Sequence, residues 1–275
     1  MLFYFAARAG AGDGPSAPFL TWPEGNGRLV AHLVRAAGPR LKLGRLVTDV
    51  VPGEASVELG VFDVKEQKLE RVSADFVISA VPKFVLPRML RPYRDAPPSH
   101  LAAFRYSAWL VANLHLSERP KSLGFEPAWD NVIHDSPGLG YVVATHQRLS
   151  DYGPTIWTYY HPFAGSDPKT ERAKLAALDH RSACELVLSD LARAHDDLEK
   201  KIERIDVWRW GHAMIAPVPG FIWGADRRRA LEPLGRVHFA HSDLSGLALF
   251  EEAQARGISA AESVLRQMGR EIKPL

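Results

Sequence analysis

The sequence predicts an α/β fold with an antiparallel portion, and three patterns support that prediction. Two short, mainly apolar segments far apart in the chain, 76–81 and 237–240, are typical of strands buried on both faces of a sheet. Alternating apolar residues over 41–72 indicate an antiparallel meander, and apolar residues at helical spacing over 250–267 indicate a helix. Because strands and helices are intermixed, an α/β class fits better than an all-α or all-β one.

The first ninety residues contain one amphipathic helix and four strands. The helix is predicted to begin after 23–27, with Leu29, Leu33 and Val34 on one face, and to end before 38–39. Three strands then alternate apolar and polar residues, a buried strand follows, and a short helix closes the segment: 41–51, 55–64, 68–72, 76–81 and 83–90.

The middle of the chain predicts strands and one long helix. The proline-rich segment 92–98 is predicted to cross between two domains. Asp167 followed by Pro168 is typical of a helix start, and helical spacing continues to about Lys200. The strands predicted around this helix are 108–116, 141–146, 155–160 and 205–210.

Composition and charge exclude several classes of protein. The 275 residues are 46% hydrophobic and 24% charged, as in soluble globular domains and unlike disordered, collagen-like or coiled-coil chains. A formal net charge of +2 gives no basis for nucleic-acid binding, and the basic run 227–229 is predicted to be a solvated loop. No apolar stretch reaches the roughly 20 residues of a membrane span, and a single cysteine fits a reducing compartment. We therefore expect a soluble cytoplasmic protein of one or two domains.

Three familiar site motifs are incomplete in this sequence. The glycine-rich segment 10–14 runs into prolines at 15–18, which cannot begin the helix of a dinucleotide-binding motif, so we predict a loop there. Without a His-Glu-x-x-His pair, and with one cysteine, we predict no metal site. His241, Ser242 and Asp243 have the residue types of a hydrolase triad, but neighbours in a loop rarely converge and no Gly-x-Ser-x-Gly turn exists.

Aromatic residues are concentrated in the middle segment, and two interpretations stay open. Alternation along a strand sends about half of the side chains to each face of the sheet. These aromatics therefore form either a sheet core or an apolar wall for an organic ligand or a flat ring cofactor. They are Tyr106, Trp109, Trp129, Tyr141, Trp157, Tyr159, Tyr160, Trp208 and Trp210.

The most specific pattern lies between residues 235 and 262. The strand at 237–240 leads into the polar segment 241–246 and then into a helix from Phe250. A helix start offers free backbone N–H groups and the positive end of the helix dipole to an anionic group. Small side chains let such a helix approach a flat group or a sheet closely, and here they are Ala253, Gly257, Ala260 and Ala261.

This strand, loop and helix resemble a signature of the flavin-containing amine oxidase and phytoene desaturase superfamily. In that family a strand ending Phe-Ala-Gly-Asp/Glu leads to a Glu-Gly-Ala helix over the isoalloxazine. Three further segments match in the same order. Residues 23–27 are similar to the Pro-x-Gly-Gly segment of the family. Residues 43–51 are similar to the strand whose valine, here Val47, touches the adenine end of FAD. Residues 75–82 are similar to the element that consists of an acidic residue, an apolar strand and Ala-x-Pro.

The resemblance covers 21–90 and 230–268 and implies an FAD-dependent oxidoreductase that transfers a hydride from an organic small molecule to flavin. It implies part of an FAD/NAD(P)-binding Rossmann-like domain over 1–90 and 230–275, and a mixed or antiparallel-sheet substrate domain with helices over 91–229. It points to no catalytic base. The positions it implies for cofactor binding are Val47, Pro82, Ala240, His241, Ser242, Asp243, Leu244, Phe250, Glu251 and Ala253.

The sequence departs from the family pattern at several positions. His241 and Glu252 stand where the family has glycine, Arg256 stands where it has serine, and Ser242 takes the acidic position, with Asp243 one residue later. The Gly-x-Gly-x-x-Gly segment, which holds the ADP half of FAD in the family, is absent from the sequence. We therefore expect the C-terminal portion of such an enzyme, which binds FAD weakly or not at all by itself and associates with the missing N-terminal segment or forms a homodimer.

Two other interpretations stay open. One is a non-catalytic binding or assembly module that keeps the fold without the cofactor. The large side chains at the positions of the family glycines and serine favour this interpretation. The other is a small-molecule-binding domain that uses the aromatic sheet without a redox role.

Overall fold

The structure, a computed structural model, describes residues 22–124, 127–146, 152–165 and 167–272. The glycine- and proline-rich segment predicted as a loop, 10–18, lies outside these residues. The helices are α1 (Gly27–Ala37), α2 (Leu86–Met89), α3 (Arg91–Asp95), α4 (Pro168–Ala177), α5 (His180–Leu191), α6 (Ala225–Arg229) and α7 (Phe250–Gln267). The strands are β1 (Arg45–Pro52), β2 (Val57–Asp63), β3 (Lys68–Ala74), β4 (Val77–Ser79), β5 (Tyr106–Leu116), β6 (Asp130–Asn131), β7 (Tyr141–Val143), β8 (Thr155–Phe163), β9 (Ile202–Ile215) and β10 (Val237–Phe239).

Three sheets form among the described residues. β1, β2 and β3 make an antiparallel meander, β4 and β10 pair in parallel, and a five-stranded antiparallel sheet has the order β6-β7-β8-β5-β9. The predicted α/β class with an antiparallel portion is confirmed. In the part of the chain that the structure covers, no helix has the length and apolar character needed to cross a membrane.

The first hydrophobic cluster lies between the five-stranded sheet and the helices α4 and α5. Alternate residues of β5 from Ala108 to Leu116 are buried, and Leu175 and Val187 from the two helices pack on them. The single helix predicted over 168–200 is wrong, because the carboxylate of Asp179 accepts the N–H of Ser182 at 2.7 Å and caps a second helix.

The aromatic residues of the middle segment divide between the two faces of the five-stranded sheet. Tyr141, Trp157 and Tyr159 are buried in the first cluster, as the core interpretation predicts. On the opposite face, Trp109 is the cross-strand neighbour of Trp210. Tyr160 and Trp208 share that face, and both tryptophans of β9 are exposed. The wall interpretation stays a prediction for this opposite face.

The second hydrophobic cluster joins the meander to the parallel pair. It contains Val50, Val237, Phe239 and Leu244, together with Tyr106, the first residue of β5. β5 therefore starts in the second cluster and runs into the first, and β9 does the same in reverse because its last residue, Ile215, is buried in the second cluster.

Two sequence predictions concern this region. The segment 92–98, predicted as a crossing between domains, begins with helix α3, whose Tyr93 packs in the second cluster, and the crossing stays a prediction. The strand predicted to be buried on both faces over 76–81 spans only Val77–Ser79, and Ile78 is 39% exposed. Since β10 is its one partner among the described strands, the other edge of β4 is unpaired, and the exposed Ile78 shows that one face of β4 is not covered.

Two of the described helices are scarcely buried. α1 has no buried residue, although Val30, Leu33 and Val34 form an apolar stripe, and α7 buries only Ala260. Of the small side chains of α7 that are predicted to allow close approach to a sheet or a flat group, Ala260 is buried, Gly257 and Ala261 are half-buried, and Ala253 is exposed.

Candidate functional site

The candidate site is a polar loop (residues 240–246) at the carboxyl end of β10. β10 and β4 are parallel, with Phe239 paired to Ser79, so both strands end at the same edge. The N–H of Ala240 donates to the carbonyl of Ser79 at 2.9 Å, and Ser242–Ser245 then form a 3-10 helix. Ligands of open α/β sheets bind outside the carboxyl ends of the strands.

Asp243 is the centre of the polar loop and is 2% exposed. Its Oδ2 accepts hydrogen bonds from the Tyr106 hydroxyl at 2.6 Å and from the backbone N–H of Lys83 at 3.0 Å. The Nδ1 atom of His241 lies 3.1 Å from Oδ1 of Asp243 and 3.2 Å from the backbone nitrogen of Asp243. One carboxylate therefore connects the polar loop, the segment after β4 and the start of β5.

These contacts shift the pKa values of Asp243 and Tyr106. Burial alone would raise the pKa of Asp243, but the hydrogen bonds from His241 and Tyr106 outweigh it and hold that pKa below the ordinary value. Burial and the adjacent Asp243 carboxylate raise the pKa of Tyr106. Asp243 is therefore ionised and Tyr106 is a neutral hydrogen-bond donor at neutral pH.

Lys83 is a fully buried amine beside this network, with 1% exposure. Its Nζ donates to the carbonyl of Ala230 at 2.9 Å and lies 3.7 Å from the ring centroid of Phe239. Burial lowers the pKa of Lys83 to about 7, against the opposing effect of the Asp243 carboxylate. Lys83 holds the segment after β4 against β10 from both its backbone and its side chain.

His241 adopts a backbone conformation that favours glycine. Its φ of 107° and ψ of 145° lie in a region that L-residues with a side chain rarely enter. This is the position at which the family resembled by the sequence has glycine. The loop therefore keeps a conformation suited to glycine while carrying an imidazole.

We expect His241→Gly to be more stable than His241→Ala by about 1–3 kcal/mol, because only glycine relieves the backbone strain. At an unstrained position glycine would be the less stable of the two. Both variants lack the imidazole, so its hydrogen bond cancels in the comparison. Urea unfolding measures the difference, and equal stabilities would show that the residue is not strained.

Two arginines fix the polar loop from outside. Nη1 of Arg227 donates to the carbonyl of Leu244 at 2.6 Å, and Nε of Arg256 donates to the Ser245 hydroxyl at 2.7 Å. The prediction of a solvated loop at 227–229 is therefore wrong, since α6 forms there and the Arg227 guanidinium is bound to backbone. Arg256 also joins α7 to the loop.

The first turn of α7 follows the polar loop closely. Its N-cap residue, Leu249, offers no side-chain hydrogen bond, so the first N–H groups are left for another acceptor. Glu251 and Glu252 lie in the same turn, and their charges interact favourably with the helix dipole.

Most positions implied for cofactor binding lie near the shared strand edge. Val47 is the exception, since it belongs to β1 of the meander and packs at the margin of the second cluster. Cofactor contact stays a prediction for all of these positions. The remainder, which are at the strand edge, in the polar loop or in the first turn of α7, are Pro82, Ala240, His241, Ser242, Asp243, Leu244, Phe250, Glu251 and Ala253.

Sequence reasoning missed four residues of this site. The sequence shows Tyr106 only as one of the aromatics, Arg227 only as part of a basic run and Arg256 only as a departure from a family serine. Each reaches the loop from a different element, so the sequence does not show these contacts. Lys83 did give a local signal, since it is the single charged residue between positions 76 and 87. Nowhere in the described ranges do three or more side chains of metal-binding type come together.

Comparison with known proteins adds the following findings. The model of a family described as flavin containing amine oxidoreductase matches residues 5–265. Cyclohexylamine oxidase from Brevibacterium oxydans IH-35A is similar in structure, with a TM-score of 0.60 and 14% identity over 90% of this chain and 53% of that one. Wild-type putrescine oxidase bound to putrescine gives a TM-score of 0.61 and 17% identity over 88% of this chain and 53% of that one. The chain thus spans about half the length of these structures. No curated protein matches it.

Proposed function

Since the chain belongs to the flavin-containing amine oxidoreductase family, we propose that it forms the flavin-facing loop and the substrate sheet of an FAD-dependent oxidoreductase. The substrate is a small organic amine. When bound, the flavin supplies the acceptor for a hydride from the carbon next to the amine nitrogen. The observation that carries the proposal is the polar loop at the shared ends of β4 and β10, followed by the uncapped start of α7.

The residues present fit the flavin end of such a cofactor. The free N–H groups at the start of α7 match the carbonyl-bearing edge of a flavin, which gains negative charge on reduction. Residues 240–244 would lie along the ribityl chain, and Phe250 and Ala253 would lie near the flavin ring. Glu251 and Glu252 oppose negative charge at that edge, so we expect weaker stabilisation of a reduced anionic flavin than glycine would allow.

We propose that residues 1–90 and 230–275 form an incomplete FAD-binding domain, with the substrate domain at 91–229. The uncovered face of β4 and the exposed apolar stripe of α1 support this division, because a two-stranded parallel sheet needs helices or further strands on its faces. A nucleotide-binding segment that adds strands to this pair would cover the exposed part of β4.

The aromatic face of the five-stranded sheet supports the assignment of the substrate domain. Trp109, Tyr160, Trp208 and Trp210 lie together on the face away from the helices. Such a face gives an organic substrate apolar contact area and excludes water from it.

A non-catalytic module that keeps this fold is the second candidate. The observation that favours it is the strained His241, a bulky residue at a position whose backbone suits glycine. The glutamate at position 252 and the arginine at position 256 add bulk to the same side of α7.

Flavin titration of the purified full chain tests the proposal. We expect weak binding of FAD, with riboflavin bound about equally, because the proposed contacts reach the flavin end only. Ala253→Glu adds a negative charge beside the proposed ring and should weaken binding roughly 3–10-fold. Gln254→Glu adds the same charge one residue along the exposed helix and serves as the matched control.

The visible absorbance of the flavin and the quenching of its fluorescence measure both affinities. A yellow cofactor retained through purification would contradict weak binding but would support the flavin site. No binding of either flavin at roughly millimolar concentration would contradict the cofactor site and favour the non-catalytic module.

A further inference from the structure

A cavity of about 440 Å³ lies between the start of β5 and the start of α4. Its apolar wall is a group of aromatic rings. Phe84 stacks on His212 with ring centroids 4.1 Å apart and planes 18° from parallel. The Tyr106 ring stands edge-on to both, at 5.0 Å from Phe84 and 5.8 Å from His212. A flat apolar group would find a rigid surface here.

The rest of the cavity lining is cationic. Among the described lining residues, Lys169 and Arg172 contribute positive charges beside Arg105, and Asp167 contributes the one carboxylate. That carboxylate already caps α4, accepting the N–H groups of Lys169 at 3.2 Å and of Thr170 at 3.0 Å. Hydrogen bonds from Thr170 and Lys169, together with the charge of Arg172, hold the pKa of Asp167 below its ordinary value. The cavity therefore carries excess positive charge.

Arg172 is held in place but is little used by the protein itself. Its aliphatic stem lies against Gly211, where an added Cβ would be 3.6 Å from the Arg172 Cδ. Its Nη1 donates one long hydrogen bond of 3.5 Å to the carbonyl of Tyr106. The guanidinium thus has further N–H donors at the cavity, in the planar arrangement that binds a carboxylate through two hydrogen bonds.

His212 reports the electrostatic character of the site. Burial and the positive charges of Arg172 and Arg88 lower the pKa of His212. An anion bound in the cavity would offset those charges and raise that pKa.

We propose that this cavity binds an organic carboxylate with a flat apolar body, whose carboxylate pairs with Arg172 and whose body lies on the rings of Phe84 and His212. The site goes beyond the proposed flavin function, because the contacts proposed for the carboxylate ligand do not involve a bound flavin. It gives the chain a preference for anionic organic ligands at a place separate from the first turn of α7.

Phenylacetate is the probe that tests this site, with phenylethylamine as its cationic counterpart and phenylacetamide as its neutral one. We expect phenylacetate to bind the full chain at least ~10-fold more tightly than either, since a charged hydrogen bond favours the anion. Proton NMR should show the pKa of His212 rising on addition of phenylacetate, with His212→Gln identifying the resonance.

Two charge-matched variants locate the binding. Arg172→Gln should weaken phenylacetate binding by ~10-fold or more, whereas Lys174→Gln, on the exposed face of the same helix and paired with Glu171, should leave it unchanged. Circular dichroism checks that both variants keep the fold. The proposal is overturned if the three probes bind equally or not at all, if both variants weaken binding equally, or if inorganic phosphate binds as tightly as phenylacetate.

Discussion

Asp243→Ala is expected to lower the free energy of unfolding by about 3–5 kcal/mol, the largest loss that we predict for a single side chain. The substitution leaves the buried Tyr106 hydroxyl and the Lys83 N–H without their acceptor, and it removes the carboxylate nearest the buried amine. Asp243→Asn keeps an acceptor at the same place, so its loss should be clearly smaller. Urea unfolding at neutral pH measures both variants.

Asp243 should also account for part of the loss of folding stability at acid pH. Because the folded state holds the pKa of Asp243 below its ordinary value of 3.8, its contribution to stability is complete above that value. The contribution is lost as the pH falls through the lowered pKa. Asp243→Asn should therefore lose stability less steeply than the unmodified chain over that acid range, and parallel curves would contradict the role given to Asp243.

Lys83→Met is expected to remove a pH dependence of stability that approaches about 1.4 kcal/mol per pH unit. Burial lowers the pKa of Lys83 from 10.5 to about 7, so between these values the unfolded chain binds more protons than the folded one. Stability therefore rises with pH across that window in the unmodified chain. Below pH 7 the folded protein buries a charged amine, and methionine at this place should be more stable by about 1–4 kcal/mol.

Lys200→Met is the control for that experiment, since Lys200 is exposed and its variant should follow the curve of the unmodified chain. The raised pKa of Tyr106 acts in the opposite direction but only above about pH 10, where free tyrosine ionises. An unchanged slope in Lys83→Met would mean that the amine is charged throughout the window.

Local patterns predicted the elements of this fold well. The alternation over 41–72 and the pair Asp167-Pro168 are short-range signals, and the structure has a meander and a capped helix there. The boundary at Asp179 was missed because continuous apolar spacing masked an aspartate that caps a second helix. Exposure of β4 could not be predicted, since it depends on how many strands pair beside it and not on its own sequence.

The candidate site was predicted in part. The polar loop could be found because its residues are contiguous and resemble a family signature. Its supports come from positions up to 160 residues away, as in the bond from Lys83 to Asp243, and distant partners of this kind leave no local pattern. The positive φ of His241 also could not be predicted, because the loop geometry imposes it on a residue whose side chain disfavours that conformation.

The strands β5 and β9 pass through both hydrophobic clusters, and this has a consequence for how the protein unfolds. Tyr106 and Ile215 belong to one cluster, while their strands continue into the other. Because the same hydrogen-bonded strands run through both clusters, neither cluster can unfold alone without breaking hydrogen bonds on which the other depends. Thermal denaturation should therefore be one cooperative transition that includes the polar loop. A substitution at Asp243 should then destabilise the five-stranded sheet as well, because the loop and the sheet unfold together.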